Sequence, residues 1–132
     1  MKGIDTTILL AFLINSPPED AKKCEELFIR VAKRKEKLYI PFVVVLKLVE
    51  ELEKRLLEDK SEIIPVLRDL FSLKGVTFGS KKFLDKVMGI YQESDLCFLS
   101  SIIVASMQEK GVNHLYSYDG NSLSSYLSIF NP

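Results

Sequence analysis

Leu38-Tyr39-Ile40-Pro41-Phe42-Val43-Val44-Val45-Leu46-Lys47-Leu48 is the stretch whose reading decides the fold. Residues 38–40 are apolar and compatible with a short strand. Pro41 has no N–H to give to a ladder and ends it. The chain then turns into a long helix to about residue 58. Leu48, Val49, Leu52, Leu56 and Leu57 form its apolar stripe, and Glu50, Glu51, Glu53, Lys54 and Arg55 its wet side.

Working outward, the same alternation recurs. Residues 2–4 read as a first strand ending in Asp5-Thr6-Thr7. Residues 6–15 read as a helix with Ile8, Leu9, Phe12 and Leu13 on one side. Ser16-Pro17-Pro18 stops it. Pro18, Glu19 and Asp20 suit the first turn of the next helix, which runs to about residue 35 with Cys24, Leu27, Phe28 and Val31 inward. Beyond the central stretch, residues 61–72 read as a helix with Pro65 in its first turn, and Val76-Thr77-Phe78 as a third strand. Helices over 82–91 and from Ser94-Asp95 to residue 110 follow, with Gly111 as the residue past the helix end. A fourth strand at 114–117, the turn Tyr118-Asp119-Gly120-Asn121 and an extended piece at Ile129-Phe130 complete the chain. Short strands alternating with helices predict an α/β fold, a short central parallel sheet covered by helices on both faces. In such folds sites form at the carboxyl ends of strands. Asp5 and Asp119 both stand there.

The 132 residues make one domain of ordinary size, and 47% apolar residues are enough for a real core. With 18 basic and 18 acidic residues the net charge is zero, so there is no global excess of cations to grip nucleic acid; RNA binding needs a local patch or a metal. Cys24 and Cys97 lack any metal-binding spacing and read as buried apolar side chains. No signal peptide is expected, because Asp5 and then Pro17-Pro18-Glu19-Asp20 interrupt the start. The apolar run at 42–46 is far too short to span a bilayer. The expectation is a cytoplasmic protein with no membrane association.

Asp5 before two threonines has two readings: a helix N-cap, or a carboxylate ligand for a hard cation such as Mg²⁺. Asp119 reads as a turn residue or as a second such ligand. Their shared placement at strand ends favours the metal. Lys33-Arg34-Lys35-Glu36-Lys37 and Lys81-Lys82 read as solvated helix ends, with an RNA-backbone patch as the minority reading. His114 has no partner nearby in sequence and is assigned no role, and Phe12, Phe28, Phe42 and Phe98 read as core.

Four stretches together resemble the PIN domains, in particular the small VapC-like ones. Gly3-Ile4-Asp5-Thr6 is similar to their opening strand with its first acid. Residues 40–48 resemble their strand-proline-helix stretch, which normally carries a Glu. Residues 95–105 resemble their apolar helix, with its third acid, and Leu115-Tyr116-Ser117-Tyr118-Asp119 their last strand, with the final one. The resemblance covers nearly the whole chain and implies a single PIN-like domain over residues 1–132, a three-layer α/β sandwich. It also implies a metal-dependent endoribonuclease of the VapC toxin type, in which clustered carboxylates hold Mg²⁺ or Mn²⁺ and activate a water.

The departures are specific. The family's Glu falls on Lys47 and its third Asp on Ser100. The matched catalytic positions are therefore Asp5, Lys47, Ser100 and Asp119, with Asp5 and Asp119 as metal ligands. Glu51, one turn beyond Lys47, and Asp95, just before the apolar helix, are candidate replacements, with Glu50 beside them. Their ordinary readings are solvated helix surface for Glu50 and Glu51 and an N-cap for Asp95. The resulting expectation is weak Mg²⁺ or Mn²⁺ binding and weakened or lost catalysis. The alternative is a non-catalytic PIN-like binding or dimerisation module. A phosphatase using an aspartyl-phosphate is a minor third reading, since Thr7 stands where its second Asp belongs. Expected partners are RNA, an antitoxin-like protein and a second copy of the chain, with Phe28, Leu56 and Tyr91 as the apolar surface for the homodimer.

Overall fold

Apolar side chains alternate along the central strand: Leu38 and Ile40 are buried while Tyr39 between them is exposed. That alternation is what a short strand with one face on a core requires. The computed structural model describes residues 1–55 and 59–132. Its elements are β1 (Lys2–Gly3), α1 (Thr6–Ile14), α2 (Pro18–Ala32), β2 (Leu38–Ile40), α3 (Phe42–Lys54), α4 (Lys60–Phe71), β3 (Val76–Phe78), α5 (Lys81–Glu93), α6 (Phe98–Glu109), β4 (His114–Tyr116), a 3₁₀ turn (Asn121–Leu123) and β5 (Ser128–Phe130). The predicted α/β class is the one adopted: among the described residues, six helices and a short parallel sheet. Leu56 and Leu57 of the predicted α3 stripe, and the predicted helix end at Glu58, lie outside the described residues.

The chain divides into two compact units, Met1–Lys81 and Lys82–Pro132. In the first, β1, β2 and β3 form a parallel sheet in that order, registered Lys2 to Leu38 to Val76. Each strand is joined to the next by two helices. α1 packs on α2 and α3, and α3 on α4. Leu9, Val31, Ile40, Val45, Leu48 and Leu67 are among the fully buried side chains of this core. The rings of Phe12 and Phe28 lie 4.7 Å apart, and those of Phe71 and Phe78 5.2 Å apart edge to face. In the second unit α5 and α6 bury Leu84, Val87, Val104 and Ala105, and Tyr91 packs its ring edge to face on Phe98.

Several expectations are corrected. β4 pairs with β5, in parallel, in a separate two-stranded sheet, so it is not a fourth strand of the first sheet. Pro65 sits in the second turn of α4, where its missing N–H leaves one helical hydrogen bond unmade. α6 begins at Phe98, not near Asp95. The Ser94 hydroxyl donates to the Ile90 carbonyl at 2.6 Å and accepts from the Leu96 N–H at 3.3 Å, which closes α5 and holds Asp95 in a bend. The extended residue before α6 is therefore Cys97, so Asp95 is not its N-cap. At that position the Cys97 side chain is exposed, while Cys24 is buried as expected. Phe28 and Tyr91 are buried and offer no surface for a dimer.

Two helices end in the same way at different cost. After α6 the Gly111 N–H donates to Gln108 and the Val112 N–H to Met107, with Gly111 left-handed at φ 67°. After α2 the Arg34 N–H donates to Val31 and the Lys35 N–H to Arg30, with Arg34 left-handed at φ 62°. A side chain there costs about 1 kcal/mol that glycine avoids. Gly75, before β3, has no such latitude. At φ 80°, a Cβ on it would stand 2.6 Å from the Val31 carbonyl oxygen and 2.7 Å from Val31 Cγ1. Gly75→Ala is expected to lower stability by about 2 kcal/mol or more. Gly111→Ala, whose Cβ meets nothing within 4 Å, should cost about half as much. Urea denaturation of the two variants compares them directly.

Candidate functional site

Asp5 follows β1 at the carboxyl end of the sheet, in extended backbone (φ −109°, ψ −177°), and caps α1. Its Oδ1 accepts the Thr7 N–H at 3.0 Å and also the Thr7 hydroxyl. Thr6, buried beside it, donates its hydroxyl to the Val44 carbonyl of α3 at 3.4 Å. That tie brings the start of α1 against α3, one turn before Lys47. The Thr7 hydroxyl holds the Asp5 carboxyl below the usual carboxylate range against the opposing effect of desolvation; the Ile8 and Thr7 N–H groups and the Lys47 ammonium add to the lowering. The first unit thus assembles Asp5 with Lys47.

The remaining candidates lie in separate local settings. The Glu51 carboxylate accepts from Arg55 at 2.8 Å along α3. Ser100 accepts the Cys97 thiol at 3.4 Å. Ser101, its buried neighbour, donates to the Cys97 carbonyl at 3.0 Å. Asp119 is exposed in a turn whose N–H donates to the Ser117 hydroxyl at 3.0 Å. Asp95 lines a cleft of about 630 Å³ in the second unit with Glu93, Ser122, Ser125 and Tyr126. There the Tyr126 hydroxyl donates to Glu93 at 3.1 Å, and desolvation and then that carboxylate raise the phenol's pKa. Sequence reading missed Glu93 and Tyr126; they stand 33 residues apart, with no local pattern to join them.

A hard divalent cation needs several oxygen ligands and charge to match. One oxygen of the Asp5 carboxylate already accepts from Thr7, and the ammonium acting on it is that of Lys47. Asp5 with Lys47 beside it does not by itself provide such a ligand set. Among the described residues no group of three or more His, Cys, Asp or Glu side chains is placed to hold a metal. What the cluster does chemically is cap a helix and present a carboxylate beside a cation.

The chain is 25% identical over 118 residues to a VapC ribonuclease of Aquifex aeolicus (strain VF5), an alignment that takes in 89% of this chain and 87% of that protein. No family model matches the chain. Among the described residues no helix is long and apolar enough to cross a membrane.

Replacing Asp5 tests the cap. Asp5→Ala should cost about 1 kcal/mol at neutral pH, whereas Asp5→Asn, which still accepts hydrogen bonds, should cost much less. The folded carboxyl titrates below its unfolded value of about 3.9. The charge-dependent part of its stabilisation is therefore complete above that pH and lost as the pH falls through the folded value. Denaturation midpoints of the three proteins, followed from neutral to acid, should converge for Asp5 and Asp5→Asn only at the acid end.

Proposed function

We propose that the chain, over residues 1–132, is one PIN-like domain of the VapC type, derived from a metal-dependent ribonuclease and weakened in catalysis. Similarity to the Aquifex ribonuclease along nearly the whole of both chains supports the lineage. The weakening is carried by one observation: Asp5, matched to the family's first acid, is engaged by Thr7 and influenced by the Lys47 ammonium rather than by a second carboxylate. In this reading Lys47 and Ser100 stand at positions in the sequence where the family carries acids, and Asp5 and Asp119 at positions where its acids are kept. Mg²⁺ or Mn²⁺ binds weakly, and RNA is recognised more than it is cut. An antitoxin-like protein and a second copy of the chain are the partners such a lineage brings. The same observation favours the second reading, a binding module without catalysis.

Calorimetry with Mn²⁺ separates the two. The natural protein should bind weakly and leave single-stranded RNA uncut. Lys47→Glu combined with Ser100→Asp should raise Mn²⁺ affinity by tenfold or more, since it removes a repulsive charge worth about 1 kcal/mol or more at contact range and adds two ligands. Tight Mn²⁺ binding by the natural protein, lost in Asp5→Asn, would instead give the missing roles to other acids such as Glu51 or Asp95. The site would then be that of a working nuclease.

A further inference from the structure

The parallel order of β1, β2 and β3 gathers the loops that enter them at one end of the sheet, opposite to Asp5. The Lys2 N–H donates to the Lys37 carbonyl and the Leu38 N–H to the Gly75 carbonyl, both at 3.1 Å, so the segments before β2 and β3 and the start of β1 lie side by side. Those segments carry Lys2, Arg34, Lys35, Lys37 and Lys74. They line two clefts of about 540 and 330 Å³ that share Arg34, Glu36 and Lys37 as walls. Glu36 is the one carboxylate in either wall. Its Oε1 lies 3.9 Å from both Lys2 Nζ and Arg30 Nε, while its Oε2 is buried without a hydrogen-bond partner, which favours a cation beside it. Among the described residues Arg34, Lys35, Lys37 and Lys74 make no ion pair. In a chain of zero net charge this is a segregated cationic collar. A third cleft, of about 640 Å³, leads from Lys2 and Glu36 along β1 past Arg30 to Asp5 and Thr7.

We infer that this collar at the amino end of the sheet binds the phosphate backbone of a single-stranded RNA, which the β1 cleft leads on toward Asp5. The inference rests on the reading of the chain as RNA-directed but not on any metal. Chemistry decides between RNA and an acidic protein. Protein interfaces are depleted in lysine and need an apolar centre. Four of the five collar cations are lysines, and the larger of the two collar clefts has Val76 as its one sizeable apolar wall residue. Nucleic-acid interfaces are polar and strongly cationic. Arg34 adds an independent argument. It occupies the left-handed position that α6 gives to Gly111, so the chain carries a guanidinium on the collar at a place where glycine would be more stable.

The test is fluorescence anisotropy of a labelled oligouridylate with EDTA present, as a function of salt. The natural protein should bind with an affinity that falls steeply with salt. For about four phosphate contacts the logarithmic slope is near −3. Lys37→Glu with Lys74→Glu should weaken binding tenfold or more and flatten the slope by about 1.4. Lys37→Arg with Lys74→Arg should keep both. Arg34→Gly should raise the thermal midpoint while weakening RNA binding, which a purely structural role would not do. Unchanged affinity and slope in the charge-reversed protein overturn the inference. So does displacement of the RNA by polyglutamate as effectively as by unlabelled oligouridylate, which would make the collar a site for acidic protein. The outcome is separable from the nuclease reading. Failure to bind Mn²⁺ with the collar effects intact leaves the inference standing, and RNA cleavage unaffected by collar variants removes the inference alone.

Discussion

Strands of two and three residues make too few ladder hydrogen bonds to hold a sheet by themselves, so the register Lys2 to Leu38 to Val76 depends on what is packed against it. Leu38 and Ile40 are buried completely or nearly so, and a one-residue slip would turn both toward solvent and bring Tyr39 inward. That constraint fixes the two ends of the sheet. Asp5, Pro41 and Gly79 follow the strands at one end, the Gly79 N–H donating to the Ile40 carbonyl at 2.9 Å. Lys37, Lys74 and Gly75 precede them at the other. The polarity of the first unit, a carboxylate beside a cation at one end and a cationic collar at the other, follows from a register that apolar burial enforces.

Packing of α1 on α3 converts the register into a site. Among the described residues Thr6 is one of two buried polar residues, with Ser101, and its hydroxyl reaches the Val44 carbonyl. Burying a hydroxyl without a partner is costly, so this bond helps settle how α1 sits on α3. The consequence for Asp5 is electrostatic. Lys47 lies one helical turn beyond Val44 and its ammonium favours the ionised carboxylate, as do the Thr7 hydroxyl and the N–H groups of α1. The same attractions that keep Asp5 charged occupy it, which is why a carboxylate at the carboxyl end of a parallel sheet here serves helix capping.

The two left-handed helix ends show where stability has been given up. Gly111 takes the position at low cost, and Arg34 does not. Gly75 is held to glycine by the Val31 carbonyl, so the turn entering β3 cannot carry a side chain, whereas the turn entering β2 carries one at a strained angle. Both turns sit at the amino end of the sheet, and only the one entering β3 is sterically closed to a side chain.

The sequence by itself determined the alternation of strands and helices and the α/β class, and it narrowed Asp5 to a helix cap or a cation ligand; the structure showed the cap. Each of these is written in short-range signals: apolar periodicity, Pro41 after a three-residue strand, and an acid two residues before Thr7. The matching of Lys47 and Ser100 to acidic positions rests on a resemblance spread over the chain. Tertiary structure decided what short-range signals do not carry. β4 took β5 as its partner rather than the first sheet, because pairing of short strands depends on their surroundings. The hydrogen bonds of Ser94, which compete with helix continuation, moved the start of α6 to Phe98 and left Cys97 exposed. Lys2, Lys37 and Lys74 became neighbours across more than seventy residues of chain only because parallel strands bring their amino ends together. Charge is legible residue by residue, but a charged surface exists only once the register has placed the residues side by side.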